Sequence, residues 1–202
     1  MSTPDEPNGP FRAMLTAPAA TRALALENWF AAQPDADLAA RVLSRALAAM
    51  EKAPYPVEGM IAGTELAEFL DAERLRFPLD EAAEKCGDPV VQSELWRHAS
   101  TSALVTGELA DLPYVYARHA VRANPANEAA WSAFKDALYS DHCDLLEDIG
   151  NWIGEARHGK APAELPRRAM AAARSVAEEG VWDGDDGESI LDELTKLESE
   201  LG

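Results

Sequence analysis

The amino-acid sequence predicts an all-α fold of about eight or nine helices, arranged as antiparallel hairpins in a helical bundle or a short solenoid-like stack. Apolar residues recur at steps of three and four through most of the 202 residues, which is the period of a helix with one buried face. Proline follows an Asp or Asn at several segment starts, as it does at helix N-termini. No segment alternates polar and apolar residues with enrichment in Val, Ile and Thr, so no β-sheet is expected.

Three regions organise the predicted fold. Residues 1–17 include a stretch rich in Pro, Asp, Asn and Gly and are expected to be a flexible segment. Residues 18–160 are expected to form a helical core domain. Residues 161–202 are expected to form a C-terminal helical hairpin whose final helix is acidic.

The first predicted helix runs from Ala19 to Gln33 and stops before Pro34. Asp35 or Asp37 then caps a second helix that reaches Met50.

A third helix is predicted to begin at Thr64, which is a good capping residue, and to end at Pro78. Proline removes a backbone hydrogen bond and clashes with the preceding turn, so it is expected to separate this helix from a short one that closes at Gly87.

Three further helices are predicted to begin at an Asp or Asn that is followed closely by proline. The carboxylate or amide oxygen caps free backbone N–H groups, and the proline fits the first turn. The three starts are Asp88 with Pro89, Asp111 with Pro113, and Asn124 with Pro125.

The helix that begins at Pro125 is predicted to run to Gly159, because its apolar residues keep helical spacing over about eight turns. Its middle is the stretch YSDHCDLLED, where His142 is expected to face the core. The aspartates of this stretch are expected to face solvent on another side of the helix: Asp141, Asp144 and Asp148.

Two glycines lie four residues apart on one face of the same predicted helix, Gly150 and Gly154. Each costs about 1 kcal/mol of helix propensity relative to alanine. Their presence predicts either a close crossing by another helix or a kink.

The charge of the chain constrains the class of its partner. The formal net charge is -18, which opposes binding to a phosphate backbone, since such binding depends largely on Lys and Arg. Nucleic acid is therefore not expected as a ligand, and no membrane-spanning segment or signal peptide is expected from the hydropathy pattern. The two cysteines form no metal-binding or disulfide pattern, which favours a reducing cytoplasm; the sequence leaves the oligomeric state open.

Half of this charge is concentrated near the C-terminus. Residues 178–200 contain ten acids and one lysine. A helix that carries an apolar stripe and many acids can lie in a groove of a basic protein. We therefore expect a partner-binding face formed by the following residues: Trp182, Asp183, Asp185, Asp186, Glu188, Asp192 and Glu193.

The run AVRANPANEAAWSAF, from Ala120 to Phe134, resembles the junction between two tetratricopeptide repeats. Ala120, Pro125, Trp131, Phe134 and Leu138 stand where that family places its Ala, Pro, Trp, Leu and Tyr. Lys135 departs from the pattern, which has Gly there, and the resemblance covers about a tenth of the chain. It implies stacked helix pairs and a protein-binding role.

Four residues are the candidates for a metal site. His98, His119 and His142 are expected to face helix interiors, and Glu94 lies one turn before His98, where it is able to accept a hydrogen bond from it. In a bundle these side chains would form a site only by converging across the core. No nucleotide-binding or hydrolase motif is present, and no cofactor is expected.

The leading functional hypothesis is a non-enzymatic interaction module, acting as an adaptor, an inhibitor or an immunity-type protein that binds a more basic protein. A helical metal-binding protein or enzyme that uses the inward histidines is the first alternative. A nucleic-acid mimic is the second, although its acids would be spread over a surface as phosphates are.

Overall fold

The structure, a computed structural model, describes residue 32 and residues 72–106, 111–182 and 185–201. These residues contain helices and connecting turns but no strand. The helices are α1 (Ala72–Lys85), α2 (Pro89–Thr106), α3 (Leu112–Ala123), α4 (Glu128–Leu138), α5 (Leu145–Arg157), α6 (Glu164–Glu178) and α7 (Asp185–Leu201). The all-α prediction is thus confirmed for this part of the chain.

Several predictions fall on other residues. Apart from residue 32, the flexible segment 1–17, the two helices before Met50 and the cap at Thr64 lie outside the described residues. The total of eight or nine helices and their general arrangement as hairpins remain predictions. Among the described helices, none has the length and hydropathy needed to cross a bilayer.

Helix α1 continues through Pro78, where the sequence predicted that a helix would end and a separate short helix would follow. An interior proline costs about 3 kcal/mol of helix stability. The next turns of α1 bury Leu79, Ala82 and Ala83 completely, and α1 packs against α2. This packing offsets the loss of the backbone hydrogen bond at Pro78. The local sequence pattern does not reveal this tertiary packing.

The start of α2 follows its predicted cap. Asp88 Oδ1 accepts hydrogen bonds from the backbone N–H groups of Val90 (2.9 Å) and Val91 (3.4 Å). Further along, the hydroxyl of Ser93 donates to the carbonyl of Ala120 (2.8 Å) and that of Ser100 to the carbonyl of Pro113 (2.8 Å). The earlier serine of α2 bonds near the end of α3 and the later serine bonds near its start, so α2 and α3 run antiparallel.

Helix α4 begins after a different capping residue from the predicted one, Asn127 instead of Asn124. Pro125 lies in a turn, and the helix begins at Glu128 behind Asn127. The side chain of Asn127 accepts a hydrogen bond from the N–H of Ala130 (3.2 Å), whereas Asn124 stabilises the turn by accepting from the N–H of Ala126 (3.2 Å).

The long helix predicted from Pro125 to Gly159 is wrong, because the chain leaves the helix after Leu138 and re-enters it at Leu145. Asp141 Oδ1 accepts a hydrogen bond from the N–H of Cys143 (3.1 Å). Such a local side-chain bond competes with the helical hydrogen bonds of the backbone. The stretch Tyr139–Asp148 is therefore a turn followed by the start of α5.

The predicted end at Gly159 is confirmed. Gly159 has a φ of 67°, and its N–H donates to the carbonyl of Ala156 (3.0 Å) while that of Lys160 donates to Glu155 (2.9 Å). This pair of bonds satisfies the last carbonyls of a helix and favours glycine. The close crossing predicted over Gly150 and Gly154 is absent among the described residues, since a Cβ at either position would meet nothing within 4 Å.

The last two helices pack onto the preceding ones. Helix α6 contacts α4, α5 and α7, and α7 also contacts α5. The buried apolar residues of all seven helices form one cluster, with Phe134 and Trp152 among its largest fully buried side chains. The contacts of α6 cross the predicted boundary at residue 160, and the division of the chain at that point remains a prediction.

Candidate functional site

Trp182 joins two turns that are distant in sequence. It lies between α6 and α7 and is 6% exposed. Its indole Nε1 donates a hydrogen bond to the carbonyl of Leu138 (3.1 Å), at the end of α4. Its ring also packs on His142, with 4.7 Å between ring centroids and 30° between planes.

A second link joins the same two turns at the surface. The carboxylate of Glu179 accepts hydrogen bonds from Lys135 Nζ (2.7 Å) and from the hydroxyl of Tyr139. The bond from Lys135, and then the one from Tyr139, lowers the pKa of Glu179. The carboxylate is therefore ionised at neutral pH and holds α4 to the end of α6.

We call the region formed by these two turns, residues 139–144 and 179–182, together with the helix ends beside them, the acidic junction. Its surface carries five acids that are exposed or half-exposed and that form no ion pair among the described residues: Asp136, Asp141, Asp144, Glu147 and Glu178. Two acid-rich stretches about 40 residues apart therefore meet at one place on the molecule.

The structure distributes the predicted partner-binding residues unequally. Trp182 is buried and hydrogen-bonded within the fold, so its ring is not available as an exposed anchor for a partner. Asp192 is exposed, and Glu193 is half-buried and paired with Lys196. The position of Asp183 and the side chains of three further acids lie outside the described part of the chain: Asp185, Asp186 and Glu188.

The apolar stripe of α7 faces the protein itself. Ile190 and Leu194 are buried in the common core, and Glu198 pairs with Arg174 on α6 (3.1 Å). The stripe is therefore used within the chain, and Asp192 is an acid of α7 that the described residues leave exposed.

Glu94 does not use the spacing that would let it accept a hydrogen bond from His98. Glu94 instead accepts from Arg97 through Nε (3.1 Å) and Nη2 (2.9 Å), and Arg97 Nη2 lies 3.0 Å from His98 Nε2. His98 is fully buried, as predicted. Burial, and then the charge of Arg97, keep its pKa well below the usual 6.5, so the ring is neutral and its Nε2 accepts from Arg97.

This network extends to the cap of α4. Asn127 Nδ2 donates to Glu94 Oε1 (2.8 Å) and lies 3.0 Å from the hydroxyl oxygen of Ser93. The same asparagine caps α4 with its oxygen. The buried polar groups between α2 and α4 therefore bond to one another, and their arrangement is that of a structural network.

The other two histidines lie at different places. His119 is exposed and stacks on Trp96, which corrects its predicted inward orientation, and His142 lies half-buried against Trp182. Within the described ranges, no three His, Cys, Asp or Glu side chains are grouped closely enough to hold a metal ion. The four candidate ligands thus do not converge on one site within the described residues.

Asp148 also differs from its predicted orientation. It is half-buried and accepts hydrogen bonds from the hydroxyl of Tyr114 (2.8 Å) and from Arg118 (2.9 Å). Its role is to join α3 to α5. The neighbouring Cys143 is exposed, and the hydrogen bond and charge of Asp141 raise the pKa of its thiol, which disfavours the reactive thiolate.

Sequence reasoning did not identify Lys135, Tyr139 and Glu179 as parts of one site. Their contacts span 40 and 44 residues, and no local pattern records such a pairing. The acid-rich composition of the two stretches was visible, but their meeting was not. The chain matches no known protein-family model, and neither the curated proteins nor the solved structures contain a significant match to it.

Proposed function

We propose that this chain is a non-enzymatic interaction module, an adaptor, inhibitor or immunity-type protein, that binds a more basic protein through the acidic junction. The observation that carries the proposal is the contact of Trp182 with Leu138 and His142. It holds together two turns that each bring acids to the surface, and so creates one negative surface from two separate stretches.

The distribution of basic residues supports this proposal. Most basic side chains of the described part are committed to ion pairs within the fold: Lys85, Arg97, Arg118, Arg122, Lys135, Arg168, Arg174 and Lys196. Of these, Lys135 pairs with Glu179 of the junction, and Arg118 pairs with Asp148 beside it. The remaining acids of the junction keep their charge available for a partner.

The expected mechanism is electrostatic steering followed by occlusion or scaffolding. A surface of one sign raises the association rate of an oppositely charged partner by about 10- to 1,000-fold, and salt reduces this effect. Tyr139, which is 43% exposed, lies within the acidic surface and provides an aromatic contact, a residue type enriched among the energetically important residues of interfaces.

The test compares two variants with the same change in charge. The junction variant carries Asp136→Asn, Asp144→Asn, Glu147→Gln and Glu178→Gln. The control variant carries four substitutions of exposed acids elsewhere: Glu81→Gln, Asp111→Asn, Glu128→Gln and Glu164→Gln. Affinity capture from the source cells identifies the partner, and association rates with the purified partner are then measured at low and high salt.

We expect the junction variant to lose at least about tenfold in association rate at low salt, and the control variant to stay close to wild type. Equal rates for the two variants would contradict the proposal. Displacement of the partner by duplex DNA would instead support the nucleic-acid mimic.

A further inference from the structure

An open groove of about 500 Å³ lies between α1, α2 and α3, and its lining shares no residue with the acidic junction. A volume in this range is typical of sites for small ligands. The groove is lined by Glu84, Gln92, Trp96, His119, Arg122 and Ala123.

The wall of the groove includes a stacked aromatic pair. The ring of Trp96 is largely buried and lies 4.9 Å from that of His119, with 27° between their planes. His119 is exposed and presents its imidazole to the groove. Burial against its neighbours, and then the charges of Arg118 and Arg122, lower the pKa of His119, so its ring is neutral at neutral pH.

The sign of the groove follows from its charged groups. Arg122 donates to Glu155 Oε1 at 2.7 Å, so this pair is formally neutral. The other oxygen of Glu155 is buried and accepts no hydrogen bond from the described residues, which adds to the cost of withdrawing Arg122. Glu84 is exposed and forms no ion pair within the described ranges. One net negative charge therefore remains.

Two dipolar groups add to this negative character. Ala123 is the last residue of α3, and the C-terminal end of a helix carries a partial negative charge from its free carbonyls. Gln92 Nε2 donates a hydrogen bond to the carbonyl of Ala83 (2.9 Å). The amide oxygen of Gln92 can therefore accept a hydrogen bond from a ligand in the groove.

We propose that this groove binds the guanidinium group of an arginine side chain from a basic protein partner. Glu84 accepts hydrogen bonds from the guanidinium, the amide oxygen of Gln92 accepts another, and the flat cation stacks on the imidazole of His119. An anion would fit less well, since Glu155 already offsets the charge of Arg122 and the unpaired carboxylate of Glu84 would repel it. The source of the arginine rests on the proposed function, whereas the binding chemistry rests on the groove alone.

The test is a titration of the full chain with N-acetyl-arginine amide, in which binding is monitored through the NMR signals of the Trp96 indole and the His119 ring. We expect saturable shifts of both signals. Glu84→Gln should weaken binding by about three- to fivefold, the effect of removing an exposed ion pair. Glu164→Gln is the matched control, because it removes the same charge from an exposed glutamate that forms no ion pair within the described ranges and does not line the groove.

N-acetyl-citrulline amide, which has nearly the same shape but no charge, should bind more weakly than the arginine compound. Equal affinity for the citrulline compound, an unchanged affinity in Glu84→Gln, or tighter saturable binding of inorganic phosphate would each overturn the proposal. These outcomes are separate from those of the junction variant. If the arginine compound does not bind but the partner still requires the acidic junction, only the proposal for the groove is contradicted. If the arginine compound binds but the junction variant associates with the partner as fast as the control variant, only the proposed function is contradicted.

Discussion

Burial between helices changes the pKa of one polar side chain in particular, that of His98. His98 is fully buried beside Arg97, and its depressed pKa means that the folded protein resists a second positive charge at this place. The unfolded chain has no such restriction. Folding stability is therefore coupled to pH through this side chain.

We expect the free energy of unfolding to fall as the pH is lowered below about 6.5, since the unfolded state then binds a proton that the folded state does not. The loss continues down to the folded pKa. His98→Gln keeps a hydrogen-bond acceptor for Arg97 but cannot titrate. Denaturant unfolding between pH 7 and pH 5 should show a weaker pH dependence in this variant than in wild type; parallel curves would contradict the assignment.

Three helical glycines differ in the space available for a side chain. Gly150→Ala and Gly154→Ala place a Cβ in open space and should each raise the free energy of unfolding by about 0.5–1 kcal/mol. Gly187→Ala places its Cβ 3.0 Å from the backbone oxygen of Trp182, so it should be less favourable and destabilise the start of α7. Chemical denaturation of the three variants checks the order, and an equal gain at Gly187 would be inconsistent with the close packing.

At the scale of the element, the ends of helices are decided partly by distant groups. In an uninterrupted helix the N–H of His142 would bond to the carbonyl of Leu138. Here the indole N–H of Trp182 takes that carbonyl, and the ring of His142 packs on the same tryptophan. The separation of α4 from α5 and the docking of α7 are therefore linked through one side chain.

Trp182→Phe should test this link. It keeps an aromatic ring for His142 but leaves the carbonyl of Leu138 without its donor, and a buried group without a partner costs about 1–3 kcal/mol. We also expect faster amide hydrogen exchange along α7. Tyr139→Phe removes an exposed hydroxyl bond to Glu179 and is the control, with a smaller expected loss of stability than Trp182→Phe; similar losses for both would argue against the role of Trp182.

At the scale of the whole molecule, the surplus of acids governs the response to salt. The net charge is -18, and the described basic residues are mostly paired already. Repulsion among the remaining acids should destabilise the folded state at low ionic strength. The same repulsion is the physical source of the steering assigned to the acidic junction.

Raising the ionic strength from about 0.01 M to about 0.15 M shortens the Debye length from about 30 Å to about 8 Å. The thermal unfolding temperature should rise, by about 2–4 °C for each kcal/mol of repulsion removed. The junction variant, which has lost four negative charges, should show a smaller rise in the same calorimetric measurement. A falling or constant unfolding temperature in wild type would contradict this expectation.

By itself the sequence determined the helical class, the cap at Asp88, the end of α5 at Gly159 and the acid surplus. Each of these depends on groups within a few residues of one another, or on composition alone. Tertiary structure decided that α1 passes Pro78, that the chain turns at Tyr139–Asp144, that His119 faces outward and that the two acidic turns meet. In these cases distant side chains compete for the same backbone groups and buried surface, and Trp182 reaches the carbonyl of Leu138 from 44 residues away.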